Sequence, residues 1–130
     1  MDYILEINKV SREIYNETLN LFEDSNLYQT YEYNLHARGG RNMCTVVLKK
    51  GDIILGVSII RIVKVPFLKF GIAYIYRGLI WQKKNSVNSI EVLTIFLELL
   101  KEEFVLKRKL VLRISPNLLK ENEKDFNKLF

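Results

Sequence analysis

The stretch from Met43 to Trp81 most constrains how this chain can fold. Residues 43–50, MCTVVLKK, are rich in strand formers with a two-residue period, and Gly51-Asp52 supplies a chain reversal. Residues 53–65, IILGVSIIRIVKV, are apolar on both faces over Ile53–Ile60, as in a central strand covered from both sides. Pro66 ends that strand, and KFGIAYIYRGLIW, ending at Trp81, supplies another. Three successive strands with short reversals predict an antiparallel meander. Further on, Asn88 and Glu91 form an asparagine version of the capping box for a helix to about Leu106. Its apolar stripe is Leu93, Phe96, Leu97, Leu100 and Phe104. LVLRI, residues 110–114, is then a short buried strand. The strand–helix–strand unit from Tyr74 to Ile114 implies a parallel pair joined by a right-handed crossover, so the sheet must be mixed.

The amino-terminal third fits onto this frame. Residues 2–7 alternate as a first strand. Ser11 caps a helix running to about Phe22, with Ile14, Tyr15, Thr18, Leu19 and Phe22 on one face. Glu23 to Asn26 read as a turn, and Leu27 to Ala37 as a second helix with Leu27, Tyr31 and Leu35 in register. Gly39-Gly40 would end it. Near the carboxyl end, Ser115 at the cap and Pro116 at the first helical position open a last helix. The order is β-α-α-β-β-β-α-β-α, an α/β (α+β) mixed sheet in one domain over residues 1–130.

Composition narrows the function classes. A chain of 130 residues, 48% hydrophobic and 27% charged, has the balance of one globular domain rather than a disordered segment. A net charge of +5 admits an anionic partner without requiring one. Lys49-Lys50, Lys83-Lys84 and Lys107-Arg108-Lys109 fall at element ends, where solvated cations are expected. Cys44 is the single cysteine, which excludes an intrachain disulfide and points to a reducing compartment. Asp2 and the lack of a basic leader argue against a signal peptide. Arg61, Lys64, Pro66 and Lys69 interrupt the most apolar run, so it is no membrane span. A cytoplasmic location is expected. Asp24, Glu32 and Asp52 lack metal-ligand spacing, and no metal site is expected.

Three segments resemble a known family. YQTYEYN, with Gln29, Tyr31 and Tyr33, resembles the Gln-x-x-x-aromatic segment of the Fem-type (FemABX) branch of the GNAT acyltransferases. PFLKFGIAYIYRGLI resembles that branch's aromatic strand followed by Arg-Gly-Pro, with Leu79 in the proline's place. LVLRISPNL resembles its strand ending in a proline. The resemblance implies a GNAT-like sheet that stops before the last two strands of that fold, and an amino-terminal portion of a longer protein. It also implies aminoacyl or acyl transfer to an amine or hydroxyl acceptor in cell-envelope chemistry. The donor would be aminoacyl-tRNA or acyl-CoA, with no tightly bound cofactor. The loop WQKKNSVNS has no glycine, which speaks against an acetyl-CoA pyrophosphate loop.

Arg77 and Gly78 are the first candidate site residues: a planar fork for phosphate or carboxylate beside a residue that permits a bulge. Gln29, Tyr31 and Tyr33 are the others expected to bind substrate, with tyrosine hydroxyls able to orient a carbonyl. His36, the single histidine, has Glu32 at i−4 as an orienting partner, but a lone histidine at a helix end is more often a cap. Two other readings compete. A non-catalytic GNAT-like module would self-associate, as a dimer for example, through an exposed LVLRI edge. A nucleic-acid binder would use Tyr74, Tyr76 and Trp81 with Arg77 and Lys83, although strand alternation puts Tyr74 and Tyr76 on the face opposite Arg77 and Trp81.

Overall fold

The computed structural model describes residues 2–37, 42–84 and 90–116. Five strands form one sheet in chain order: β1 (Tyr3–Ile7), β2 (Met43–Lys50), β3 (Ile53–Lys64), β4 (Gly71–Tyr76) and β5 (Leu110–Ser115). The first four pair antiparallel, and β4 and β5 are parallel, as the crossover requires. Gly51, at φ 65°, makes the reversal between β2 and β3.

Helices cover both faces. Helix α3 (Ile90–Leu100) continues through a wider π-helical stretch, Lys101–Lys107. It buries Leu93, Phe96, Leu100 and Phe104 against Val46, Leu48, Ile60, Ala73 and Ile75. On the other face, helix α1 (Arg12–Leu19) packs Tyr15 and Leu19 with Phe22 against Val47, Val57, Ile59 and Ile80. Period two divides β3 after Gly56, where Ile60 and Ile62 face α3 and Val57 and Ile59 face α1; before it a register shift against β2 inverts the pattern, with Leu55 on the α3 side and Ile54 on the α1 side.

Local chemistry changed several expected boundaries. Ser11 caps α1 through its Oγ, which accepts from the Ile14 amide, yet the helix ends at Leu19 and Ile14 stays half-exposed. Phe22 instead joins an isolated bridge to Lys83. The expected helix over Leu27–Ala37 is two pieces, a 3-10 turn (Leu27–Gln29) and helix α2 (Tyr31–Ala37). Thr30 divides them because its backbone is extended, at ψ 152°. Its hydroxyl donates to the Leu27 carbonyl and accepts from the Tyr33 amide, closing one element and capping the next. Ser115 is the last residue of β5 rather than a helix cap. The expected final helix, the Gly39-Gly40 stop and the Asn88 cap lie outside the described residues.

Candidate functional site

Strand β4 ends as a ladder five residues before Trp81. It pairs with β3 from Gly71 through Tyr74, opposite Arg61, and pairing resumes only where Ile80 exchanges both backbone hydrogen bonds with Val57. Between those points Ser58 to Ile60 face the longer run Ile75 to Leu79. The surplus forms a bulge, as expected where glycine interrupts a strand.

Gln29 fills the gap. Its side-chain Oε1 accepts from the Ile59 amide at 2.8 Å and the Ser58 hydroxyl at 3.1 Å, and its Nε2 donates to the Tyr76 carbonyl at 2.6 Å. One buried amide thus replaces the missing ladder, and the Gln29 backbone carbonyl accepts from the Tyr15 hydroxyl. Burial pushes the Tyr15 phenol well above its ordinary pKa, so it stays a neutral donor.

The rest of the loop between α1 and α2 continues the clamp. Asn26 Nδ2 donates to the Arg77 carbonyl at 2.9 Å. The Asp24 carboxylate accepts from the Trp81 and Gln82 amides, each at 3.0 Å. Burial is the larger influence on Asp24 and raises its pKa, while those two amides pull it back down.

Held this way, Arg77 takes a left-handed φ of 58° and its amide donates to the Ser115 carbonyl at 2.7 Å. The positive φ reverses the alternation: Arg77 joins the face of Tyr74 and Tyr76 instead of opposing it, a correction to the strand reading. Its guanidinium lies 5.7 Å from the ring centres of both Tyr28 and Tyr76. Tyr28 meets Tyr33 and Tyr76 edge-on at 5.1 Å each, and Tyr76 stacks with Tyr74 at 6.2 Å. Arg113 covers Tyr74 from β5, opposite it in register. Among the described residues, neither Arg77 nor Arg113 forms an ion pair. Trp81 turns into the core on the α3 side.

The structure therefore brings Arg77 and Tyr33 into one cluster, with Gln29 and Gly78 directly beneath. Gly78 is buried, and a Cβ there would come within 2.7 Å of Ile75 and 3.0 Å of Ser58. The bond from Gly78 to Leu79 is cis. Tyr31 faces away, packing toward α1 with Arg12 over its ring. The Glu32 carboxylate is held by Arg12 and Asn16. Its pKa is lowered, chiefly by its own backbone amide and then by Arg12. The sequence reading missed Tyr28, Arg113 and the Asp24–Asn26 clamp. The acids and amides of EDSN next to an apolar helix were the available signal for the clamp. Among the described residues no group of acids, histidines and cysteines could hold a metal ion.

No family model matches the sequence, and no curated protein matches it either. Solved structures do match. FemX superposes over 98% of this chain with a TM-score of 0.71 at 18% identity, and this chain spans 30% of the FemX chain. The aminoglycoside acetyltransferase HMB0005, from an uncultured soil metagenomic sample, matches the whole chain and 89% of its own, at 15% identity and a TM-score of 0.57. A predicted acetyltransferase with acetyl-CoA from Clostridium acetobutylicum matches 97% of this chain and 88% of its own, at 13% identity and a TM-score of 0.53. The fold is therefore a GNAT-like mixed α/β sheet.

Proposed function

We propose that the chain is an acyltransferase domain of the Fem-type branch, acting as part of a longer protein. The observation that carries this reading is the Arg77 cluster: a guanidinium with no ion pair among the described residues, set by a built bulge between two tyrosine rings, beside the ends of the parallel strands. Arg77 would bind a phosphate or carboxylate of the incoming substrate through its planar fork. Tyr28, Tyr33 and Tyr76 would orient and polarise the acyl carbonyl, while Gln29 and Gly78 hold the bulge in place. Transfer from an already activated acyl group needs mainly positioning and carbonyl polarisation. A cluster of arginine and tyrosines supplies both without a histidine.

The donor is aminoacyl-tRNA or, alternatively, acyl-CoA, and the acceptor is an amine or hydroxyl of a cell-envelope precursor, met in the cytoplasm. The glycine-free sequence after Trp81 favours the first donor. The likeness to FemX in fold supports the branch. The test is Arg77→Gly, because glycine accepts the left-handed backbone and isolates the side chain's contribution. Binding of aminoacyl-tRNA and of acyl-CoA is measured for both proteins, with thermal unfolding alongside. Loss of donor binding with stability kept or raised is expected; equal binding by the variant would refute the role of Arg77.

One observation favours a second reading. Among the described residues β5 pairs with β4 alone, and an apolar groove of about 580 Å³ between Leu97, Val105, Leu112 and Ile114 runs beside it. A non-catalytic module would self-associate there. Light scattering over a concentration series tests this, and a strictly monomeric chain would end that reading.

A further inference from the structure

The reversal between β3 and β4 has a feature that folding alone disfavours. The Leu68 amide donates to the Val65 carbonyl, closing a four-residue turn with Pro66 in its second place and Phe67 in its third. Phe67 has φ 68°, so the turn has the type II form, whose third place normally takes glycine. A phenylalanine there is strained, and its side chain is fully exposed, at 106%. Leu68 and Phe70 beside it are also exposed. A side chain that is both strained and unburied contributes nothing to this domain's own core.

Cations surround the tip. Lys64 and Lys69 flank it and are exposed, and the sequence contains no acid between Asp52 and Glu91. Gly71 opposes Leu110 in register, so the turn into β5 emerges at the same end of the sheet, bringing exposed Leu106, Lys107 and Lys109. A recess of about 440 Å³ opens there between Lys64, Arg108, Asn8 and Asn42. Glu103 pairs with Arg108 and, at 3.9 Å, with Lys107, leaving Lys64, Lys69 and Lys109 without an ion pair among the described residues.

We propose that this end of the sheet docks on an anionic phospholipid membrane. Phe67, Leu68 and Phe70 would enter the headgroup–acyl boundary, while the lysine ring meets the negative surface. The recess beside Lys64 would receive a lipid phosphate. Charge selects this partner: an apolar tip rimmed only by lysines in its own sequence is complementary to an anionic interface. No helix among the described residues is long and apolar enough to cross a bilayer, so attachment would be peripheral.

Co-sedimentation of the full chain with vesicles provides the test, comparing phosphatidylcholine alone with an equal mixture of phosphatidylcholine and phosphatidylglycerol. The wild type should partition onto the anionic vesicles and release at high salt. Phe67→Gly, which suits the turn and should raise thermal stability, should weaken partition by roughly tenfold. Lys64→Gln and Lys69→Gln should each weaken it by roughly fivefold. No partition onto anionic vesicles, or partition unchanged in all three variants, would overturn the proposal. So would a dimer in sedimentation equilibrium that Phe67→Gly dissolves, since the tip would then be covered by a second copy.

Discussion

Replacing Gln29 by leucine tests the account of the bulge most directly. The change keeps the approximate volume and removes every polar atom of the side chain. Three groups lose a partner: the Ile59 amide, the Ser58 hydroxyl and the Tyr76 carbonyl. They do not weigh equally. Ile59 is buried, and its orphaned amide bears a full desolvation penalty of about 1–3 kcal/mol. Tyr76 is half-buried and its bond to Gln29 only partly buried, so the loss there is smaller, about 1 kcal/mol. The Ser58 hydroxyl can turn toward the Ile59 carbonyl, already 3.4 Å away. The apolar gain from leucine returns a fraction of this. A net loss of roughly 2–4 kcal/mol follows, a large part of the 5–15 kcal/mol typical of a domain. Trp81, the single tryptophan and buried, reports unfolding by fluorescence in a urea titration. Ser58→Ala is the control: it leaves the Ile59 amide bonded to Gln29 and should cost less than about 1 kcal/mol. A Gln29→Leu protein within about 0.5 kcal/mol of wild type would refute the idea that this amide stands in for the ladder.

Other outcomes follow from the same contacts. Gly78→Ala should cost about 1–3 kcal/mol by overpacking, because the new methyl meets Ile75 and Ser58 below ordinary contact distance; urea titration measures it. Asp24 has a folded-state pKa above its unfolded value, mainly through burial, so the native state binds its proton more readily. Its contribution to stability therefore falls as pH rises from the ordinary carboxylate range through the raised folded pKa. Asp24→Asn should flatten that slope in thermal unfolding measured across acidic pH, and an unchanged slope would contradict it. Val111→Lys, at an exposed position of β5, which pairs with β4 alone among the described residues, should abolish any self-association seen by light scattering without changing the urea midpoint appreciably.

Period two and the turn residues sufficed to read the meander, its reversal at Gly51 and the parallel crossover. Each of these depends on neighbours in sequence. Arg77-Gly78 was legible as an interruption, since no buried strand favours that pair. What completes the interruption was not legible, because Gln29 and Asn26 lie about fifty residues away and bind backbone groups, which carry no residue-specific signature. Thr30 broke a helix that apolar spacing had continued, through a hydroxyl that serves both pieces. Tyr28 and Arg113 reached the cluster by two routes invisible to local pattern: the 3-10 turn that redirects Tyr28 and the strand register that sets Arg113 beside Tyr74.

The loop from Asp24 to Gln29 and the segment from Tyr76 to Gln82 behave as one unit. Three side chains of the first, Asp24, Asn26 and Gln29, bind backbone groups of the second, and β3 no longer pairs with the chain between Tyr74 and Ile80. If each contact acted alone, Asn26→Ala would cost little, since its bond to Arg77 is exposed, and its effect would add to that of Gln29→Leu. If instead they share the task of holding Arg77 at its left-handed φ, loss of Gln29 already loosens what Asn26 holds. The double variant should then fall short of additivity by at least 0.5 kcal/mol. Amide exchange locates the coupling. The Arg77 amide, bonded to Ser115, and the Ile80 amide, bonded to Val57, should exchange faster in either single variant and gain little more in the double. Additive energies within about 0.3 kcal/mol, with protection at Arg77 unchanged, would mean that the bulge holds itself and that the loop merely rests on it.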